Sequence, residues 1–221
     1  MTRPLKRTPM TRATSRSRTA ALAVTAAALL ATAACGNQTS RSATAAAGNA
    51  AGTAASGRTG ESVSTGPATV GAPSPAGAYT DLSGQAVDVA SLRGKPTVLW
   101  FIAAGCSSCT ASIPVLADHL AQLKADGVQV KVIDLYDDLG QGPKAAASLT
   151  QLGRGLAGKR FDDPTWQWGI SSKDLSFRYD QMGSPDIYYV LDRTGKITYQ
   201  NGVPISTMDE LLANAHAAAS A

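Results

Sequence analysis

From Ala78 onward the chain alternates short apolar runs with turn-forming residues, and the spacing of the apolar positions predicts a series of elements. Tyr79 to Val89 reads as a short hairpin turning at Ser83-Gly84. Leu92-Arg93-Gly94-Lys95 is a turn. Pro96 to Ala103 is then a continuous apolar run of strand length, as expected for a central strand buried on both faces. Ile113, Leu116, Leu120 and Leu123 recur at helical spacing and predict one amphipathic helix that stops before Asp126-Gly127. Val128 to Leu135 is a second β-rich run. Strand, helix and strand in this order predict a βαβ unit with parallel strands.

Further along, a helix is expected from about Pro143, with Ala146, Leu149, Leu152 and Leu156 on one side. Asp162 to Ile170 reads as loop despite Trp166 and Trp168, and Asp174 to Tyr179 as a short helix. Asp186 to Leu191 and Lys196 to Gln200 are strands joined by the turn Asp192 to Gly195, which makes an antiparallel hairpin. Thr207-Met208-Asp209-Glu210 fits a capping box opening a last helix through Leu211, Leu212 and Ala215. The pattern as a whole predicts an α/β fold, a central mixed sheet flanked by helices, with an added N-terminal hairpin.

Composition changes the picture ahead of Ala78. Residues 36–77 are almost entirely Ala, Gly, Ser, Thr, Asn and Pro, which bury too little apolar surface to offset the entropy of ordering a backbone. The organisation expected is a secretory signal over 1–34, a disordered linker over 35–77 and one domain over 78–221. Six of the 20 basic residues fall in the first 18 positions with no acid among them, and Ala20 to Ala34 is small and apolar throughout. That is the layout of a signal peptide, and it is shorter than the roughly 20 residues of a membrane span. Cys35 follows Ala33-Ala34, in a segment that resembles a bacterial lipobox with Thr32 where Leu is usual. Cleavage after Ala33 and an unmodified thiol are the other two readings. From Ala78 onward 12 Lys and Arg face 15 Asp and Glu, so the net charge of +4 belongs to the leader. No nucleic-acid surface is expected.

Cys106-Ser107-Ser108-Cys109 falls where the buried strand ends and a helix begins. Cysteines at i and i+3 in a first helical turn approach closely enough for a disulfide. The first lies beside free backbone N–H groups and the positive end of the helix dipole, which stabilise a thiolate. The second lies deeper. Cys106 is thus the attacking thiol and Cys109 the resolving one. A structural zinc site needs four ligands, and Cys35, His119 and His216 are poor candidates to complete one, so no metal and no cofactor are expected. Asp134, Asp137 and Asp138 read as an acidic, solvated strand end. Trp166 and Trp168 are either an exposed aromatic platform or, more commonly for such a pair, the cover of a core edge.

Asp81-Leu82-x-Gly84, Leu92 to Phe101, Cys106-x-x-Cys109, Ile113-Pro114, Gly183-Ser184-Pro185 and Asp192-x-x-Gly195-Lys196 together resemble the TlpA/ResA-type thioredoxin-like proteins over most of residues 79–215. The resemblance implies a thioredoxin-like fold and a thiol–disulfide oxidoreductase. It implies a lipid-anchored, monomeric protein outside the cytoplasmic membrane, whose partners are exported protein thiols and disulfides and a membrane or extracytoplasmic redox partner. It also implies that Ser184–Pro185 is a cis bond facing the cysteines and that the Ser184 backbone pairs with substrate. The chain departs from the pattern in four places. Gly105 stands where Trp often precedes the first cysteine, and Ser107-Ser108 where Pro-Pro is frequent. Ser112 replaces a Glu thought to assist proton transfer, and Trp100 stands near where ordinary thioredoxins bury an acid. No proton-transfer residue is evident. The competing functions are a copper(I) protein using both thiolates and Met182, and a redox-inert binding domain. The peroxiredoxin pattern is absent.

Overall fold

The computed structural model describes residues 64–221. The predicted signal over 1–34, Cys35 and the linker to residue 63 lie outside the described residues. Seven strands form one sheet: β1 (Ala78–Asp81), β2 (Ala86–Asp88), β3 (Thr97–Ile102), β4 (Gln129–Asp134), β5 (Trp166–Ser171), β6 (Ile187–Leu191) and β7 (Ile197–Gly202). Their order across the sheet is β2-β1-β5-β4-β3-β6-β7. β4 pairs parallel with β3 and β5, as the βαβ reading requires, while β6 joins β3 antiparallel and so makes the sheet mixed. The helices are α1 (Ser107–Asp118), α2 (Leu120–Ala125), α3 (Pro143–Ala157), α4 (Lys173–Tyr179) and α5 (Met208–Ser220).

All six residues of β3 are buried, and their alternation divides the molecule into two cores. Val98, Trp100 and Ile102 point to the face covered by α1, α2, α3 and α5. Leu99 and Phe101 point to the other, where Phe101 stacks on Tyr179 of α4 with ring centroids 5.0 Å apart. Beyond Thr97, strand β3 therefore carries an uninterrupted apolar sequence because it has no solvent face.

The sequence misleads in five places. Residues 166–171 form strand β5 in the middle of the sheet. Pro164 and Gly169 suggest loop, yet Gly169 is what lets β1 approach: a Cβ there would lie 2.8 Å from the Thr80 carbonyl oxygen and would strike the Tyr79 ring. The helix expected to run unbroken to Lys124 is interrupted at His119, whose φ of −100° and ψ of 0° end α1 and begin α2. Its apolar stripe continues across the break, and all four positions are buried. The buried face of α3 is Ala145, Leu149, Gly153 and Ala157, so Leu152 and Leu156 lie at its margin. Thr207 does precede α5, but its hydroxyl donates to the Gly202 carbonyl at 2.8 Å, and no side-chain cap forms. Finally, the ordered body starts ahead of Ala78. The Gly71 amide donates to the Ile197 carbonyl, Ile197 donates to Ala72, and Ser74 donates to Gly195, so these residues strap the start of β7. Backbone pairing holds this segment where its side chains have little to bury.

Candidate active site

Cys106 is the N-cap of α1, in extended conformation, and its Sγ accepts a hydrogen bond from the Cys109 amide at 3.2 Å. A sulfur there receives a donor of the helix's first turn as well as the field of its positive end. The two cysteines form a disulfide with their Cα atoms 5.3 Å apart. Cys109 is fully buried against the α1 face of the sheet, while Cys106 is half-buried between exposed Gly105 and exposed Ser107. Of the two, only Cys106 is open to an incoming thiol or disulfide. A Cβ at Gly105 would meet nothing within 4 Å, so the position that often carries Trp in relatives is here a gap in the rim. The Ser108 hydroxyl lies 3.3 Å from Cys106 Sγ and is a second polar group at the nucleophile.

A carboxylate completes the cluster, and the sequence did not reveal it. One oxygen of Asp186 and the two cysteine sulfurs all lie within 4.8 Å of one another. Asp186 is 2 % exposed. Burial pushes its carboxyl above the ordinary carboxylate range, partly offset by the Ser108 hydroxyl and the Trp100 indole. Trp100 Nε1 donates to Oδ1 at 2.9 Å, whereas Oδ2 is buried with no hydrogen-bond partner. The backbone is held as firmly: the Asp186 amide donates to Phe101 of β3, and its carbonyl accepts from Val203 at 2.8 Å. Both Asp186 (φ +78°) and Val203 (φ +52°) occupy the left-handed region, uncommon for Asp and strained for a β-branched residue. The one signal in the sequence is an acid at the head of a buried apolar run directly after Gly183-Ser184-Pro185.

The departures from the resemblance now have structural explanations. Ser112 is fully buried, and its Oγ accepts from the Ile205 amide at 3.0 Å, tying α1 to the loop between β7 and α5. Trp100 supplies the donor that fixes Asp186. Ser184 is exposed, and its amide already donates to Asp180 Oδ1 at 2.8 Å. Pro185 precedes Asp186 directly and so adjoins the cysteine cluster through it.

Other candidates fall elsewhere. Trp166 and Trp168 are buried and form no exposed platform; their rings pack edge to face at 5.1 Å. Asp134 is fully buried, not solvated: burial and the neighbouring Asp138 push its carboxyl up to about 8. Exposed Asp138 accepts from the Ala104 amide and so steadies the loop before Cys106. The third donor beside the two sulfurs is a hard carboxylate oxygen, and Met182 is 88 % exposed. That set does not suit copper(I), which favours soft ligands. His119 and His216 are not part of the cluster; His216 pairs with Asp126 at the surface.

A half-buried, accessible sulfur capping a helix, disulfide-bonded to a fully buried one on a mixed sheet, defines a thioredoxin-like thiol–disulfide oxidoreductase. The chain belongs to the redoxin family, which it matches over residues 69–216. Its fold is similar to that of the structure assigned as thiol:disulfide interchange protein DsbE from Chlorobium tepidum (21 % identity, TM-score 0.55, 69 % of this chain and 99 % of that one). It is also similar to MTB dsbF (22 % identity, TM-score 0.50, 64 % of this chain and 93 % of that one). No curated protein gives a significant match.

Proposed function

We propose that this oxidoreductase works outside the cytoplasmic membrane, tethered by lipid on Cys35, and exchanges disulfides with exported proteins. The observation that carries the reading is the asymmetry of the pair. Cys106 is accessible and helix-capping, and Cys109 is enclosed behind it, so a partner disulfide or thiol meets one sulfur only. A protein substrate suits the surroundings of that sulfur. Met182, Val203 and Ile205 are exposed apolar side chains on the two loops that adjoin Asp186 and Ser112. Ser184 and Pro185 lie on the first of these loops, directly before Asp186, and on this reading would line the side of the site that an extended segment lies against. The basic leader and the Ala33-Ala34-Cys35 segment support export and anchoring. No helix among the described residues is long and apolar enough to cross a membrane.

The test is to trap the exchange intermediate in cells producing the full chain. Cys109→Ser should accumulate covalent adducts with exported proteins in the membrane fraction, and reductant should dissolve them. Cys106→Ser should accumulate none. In the Cys35→Ala background the adducts should persist but move to the soluble fraction. Adducts that survive in Cys106→Ser would end the proposed role of the pair; membrane retention of Cys35→Ala would end the lipid tether.

A further inference from the structure

We propose that Asp186 carries the proton of the Cys109 thiol, supplying from the segment after Pro185 the carboxylate that is missing at residues 100 and 112. The inference deepens the oxidoreductase reading and rests on it. Cys109 is fully buried, so bulk water cannot take its proton directly, and a buried thiol resists ionisation. Asp186 is the acid within reach: its oxygen lies within 4.8 Å of both sulfurs, a span that one water or a small side-chain rotation closes. Its own surroundings fit the role. The Trp100 indole fixes Oδ1 at 2.9 Å and sets the carboxyl plane, while Oδ2 has no partner and is free to accept. A buried carboxylate oxygen without a donor is costly, so the group takes up a proton readily. The groups facing it are few. Helix α1 contributes Cys106, Cys109 and the Ser108 hydroxyl, β3 contributes the indole, and the segment ending β7 contributes the Val203 amide and the close approach of Gly202 to the backbone. Among the described residues, none of the causes of its raised carboxyl is a charged side chain. The left-handed φ at Asp186 is the backbone cost of aiming the side chain under the disulfide.

The step balances without an outside reagent. With a substrate sulfur bonded to Cys106, Asp186 takes the Cys109 proton, and the Cys109 thiolate attacks Cys106 Sγ. The Cys106–Cys109 bond forms, the bond from Cys106 to the substrate breaks, and the substrate leaves with the electron pair as thiolate. Two cysteines are oxidised and one substrate disulfide is reduced. In the opposite direction Cys109 leaves as thiolate and recovers the proton from the Asp186 carboxyl.

The experiment uses the full-length Cys35→Ala chain, reduced, mixed rapidly with the disulfide of 2-nitro-5-thiobenzoate. The first release of thiobenzoate reports attack by Cys106, and the second reports resolution by Cys109. Thiobenzoate leaves as the anion and needs no proton, so the second phase isolates deprotonation of Cys109. In Asp186→Asn the first phase should stay within about twofold. The second should slow by roughly 10–100-fold near neutral pH, as for loss of a general base. It should then rise about tenfold per pH unit until the thiol itself ionises, whereas the unsubstituted chain is nearly flat above the titration of Asp186. Asp186→Glu should restore the flat profile. Trp100→Phe, which keeps the carboxylate but removes the donor favouring its charged form, should move the inflection to higher pH; this reads the proposal even where Asp186→Asn does not fold. A second phase that slows equally at every pH, or runs parallel to the unsubstituted chain, overturns the assignment of Asp186, as does an inflection that Trp100→Phe leaves in place. Absence of a second release from the unsubstituted chain overturns the oxidoreductase reading itself.

Discussion

Asp134 and Asp186 lie at the same level of the sheet, on either side of β3. Asp134 ends β4 opposite Ile102, and Asp186 donates its amide to Phe101 just before β6. Both are buried, both have a carboxylate oxygen without a partner, and in both burial is the first cause of a raised carboxyl pKa. What they face differs. Asp134 meets a second carboxylate, Asp138, and the Leu139 amide, whereas Asp186 meets an indole and two sulfurs. In both, burial is the first cause of the carboxyl's hold on its proton. The neighbours decide whether the proton is merely stored or handed to a reacting atom.

Substituting Asp134 should give the largest effect on stability that leaves the exchange chemistry in place. Its carboxyl holds a proton up to about 8 in the folded chain, against an ordinary value of 3.8. Between these values the native state binds more protons than the unfolded one. Stability is therefore greatest in acid and falls as pH rises, at up to ~1.4 kcal/mol per pH unit from this group. Asp134→Asn should remove that slope in denaturant titrations at pH 5, 6.5 and 8 while leaving both thiobenzoate phases within about twofold. An unchanged slope would mean that Asp134 titrates normally. Asp138→Asn should act more weakly. It removes the charge and the carboxylate hydrogen bond that push Asp134 up beyond burial, and it keeps an oxygen for the Ala104 amide. The pH at which the decline levels off should fall by roughly one unit; no movement would assign the whole shift of Asp134 to burial. Ser112→Ala should have the smallest effect. It strands the Ile205 amide, for a loss of about 1 kcal/mol in denaturant unfolding. The pH profile of the second phase should not change, since the residue at this position carries no proton here. A changed profile would return the acid–base role to α1.

The strands of the two cores were legible where the sequence was locally self-consistent. The run Pro96 to Ala103 has no polar residue beyond Thr97, and only a two-sided burial explains that. Strand β5 was not legible because its glycine answers to Tyr79 and Thr80, some 90 positions away, and not to its own segment. The break at His119 likewise leaves the apolar spacing intact and so leaves no trace in it. The placement of the cysteine pair and its unequal burial were readable, since a strand end followed by i, i+3 cysteines puts the first at the helix start and the second inside it. Asp186 was not, because what makes it more than the first residue of a strand are Trp100 and Cys109, both distant in sequence. The resemblance directed attention to positions 100 and 112, and both turned out to support the acid's position or the loop beside it.

The strap formed by Gly71 to Ser74 has a consequence for how clients are captured. An oxidoreductase acting on exported proteins, as proposed above, would present its own sheet to any extended segment of them. A bare β7 margin would bind them indiscriminately by strand addition, whatever their cysteines. Here the chain spends its own backbone on the start of that margin, with the Gly71 and Ser74 amides donating to Ile197 and Gly195. Strand addition at that part of the sheet is thereby blocked, so on the function proposed above a client would be held by the loops around Cys106 rather than by the start of β7.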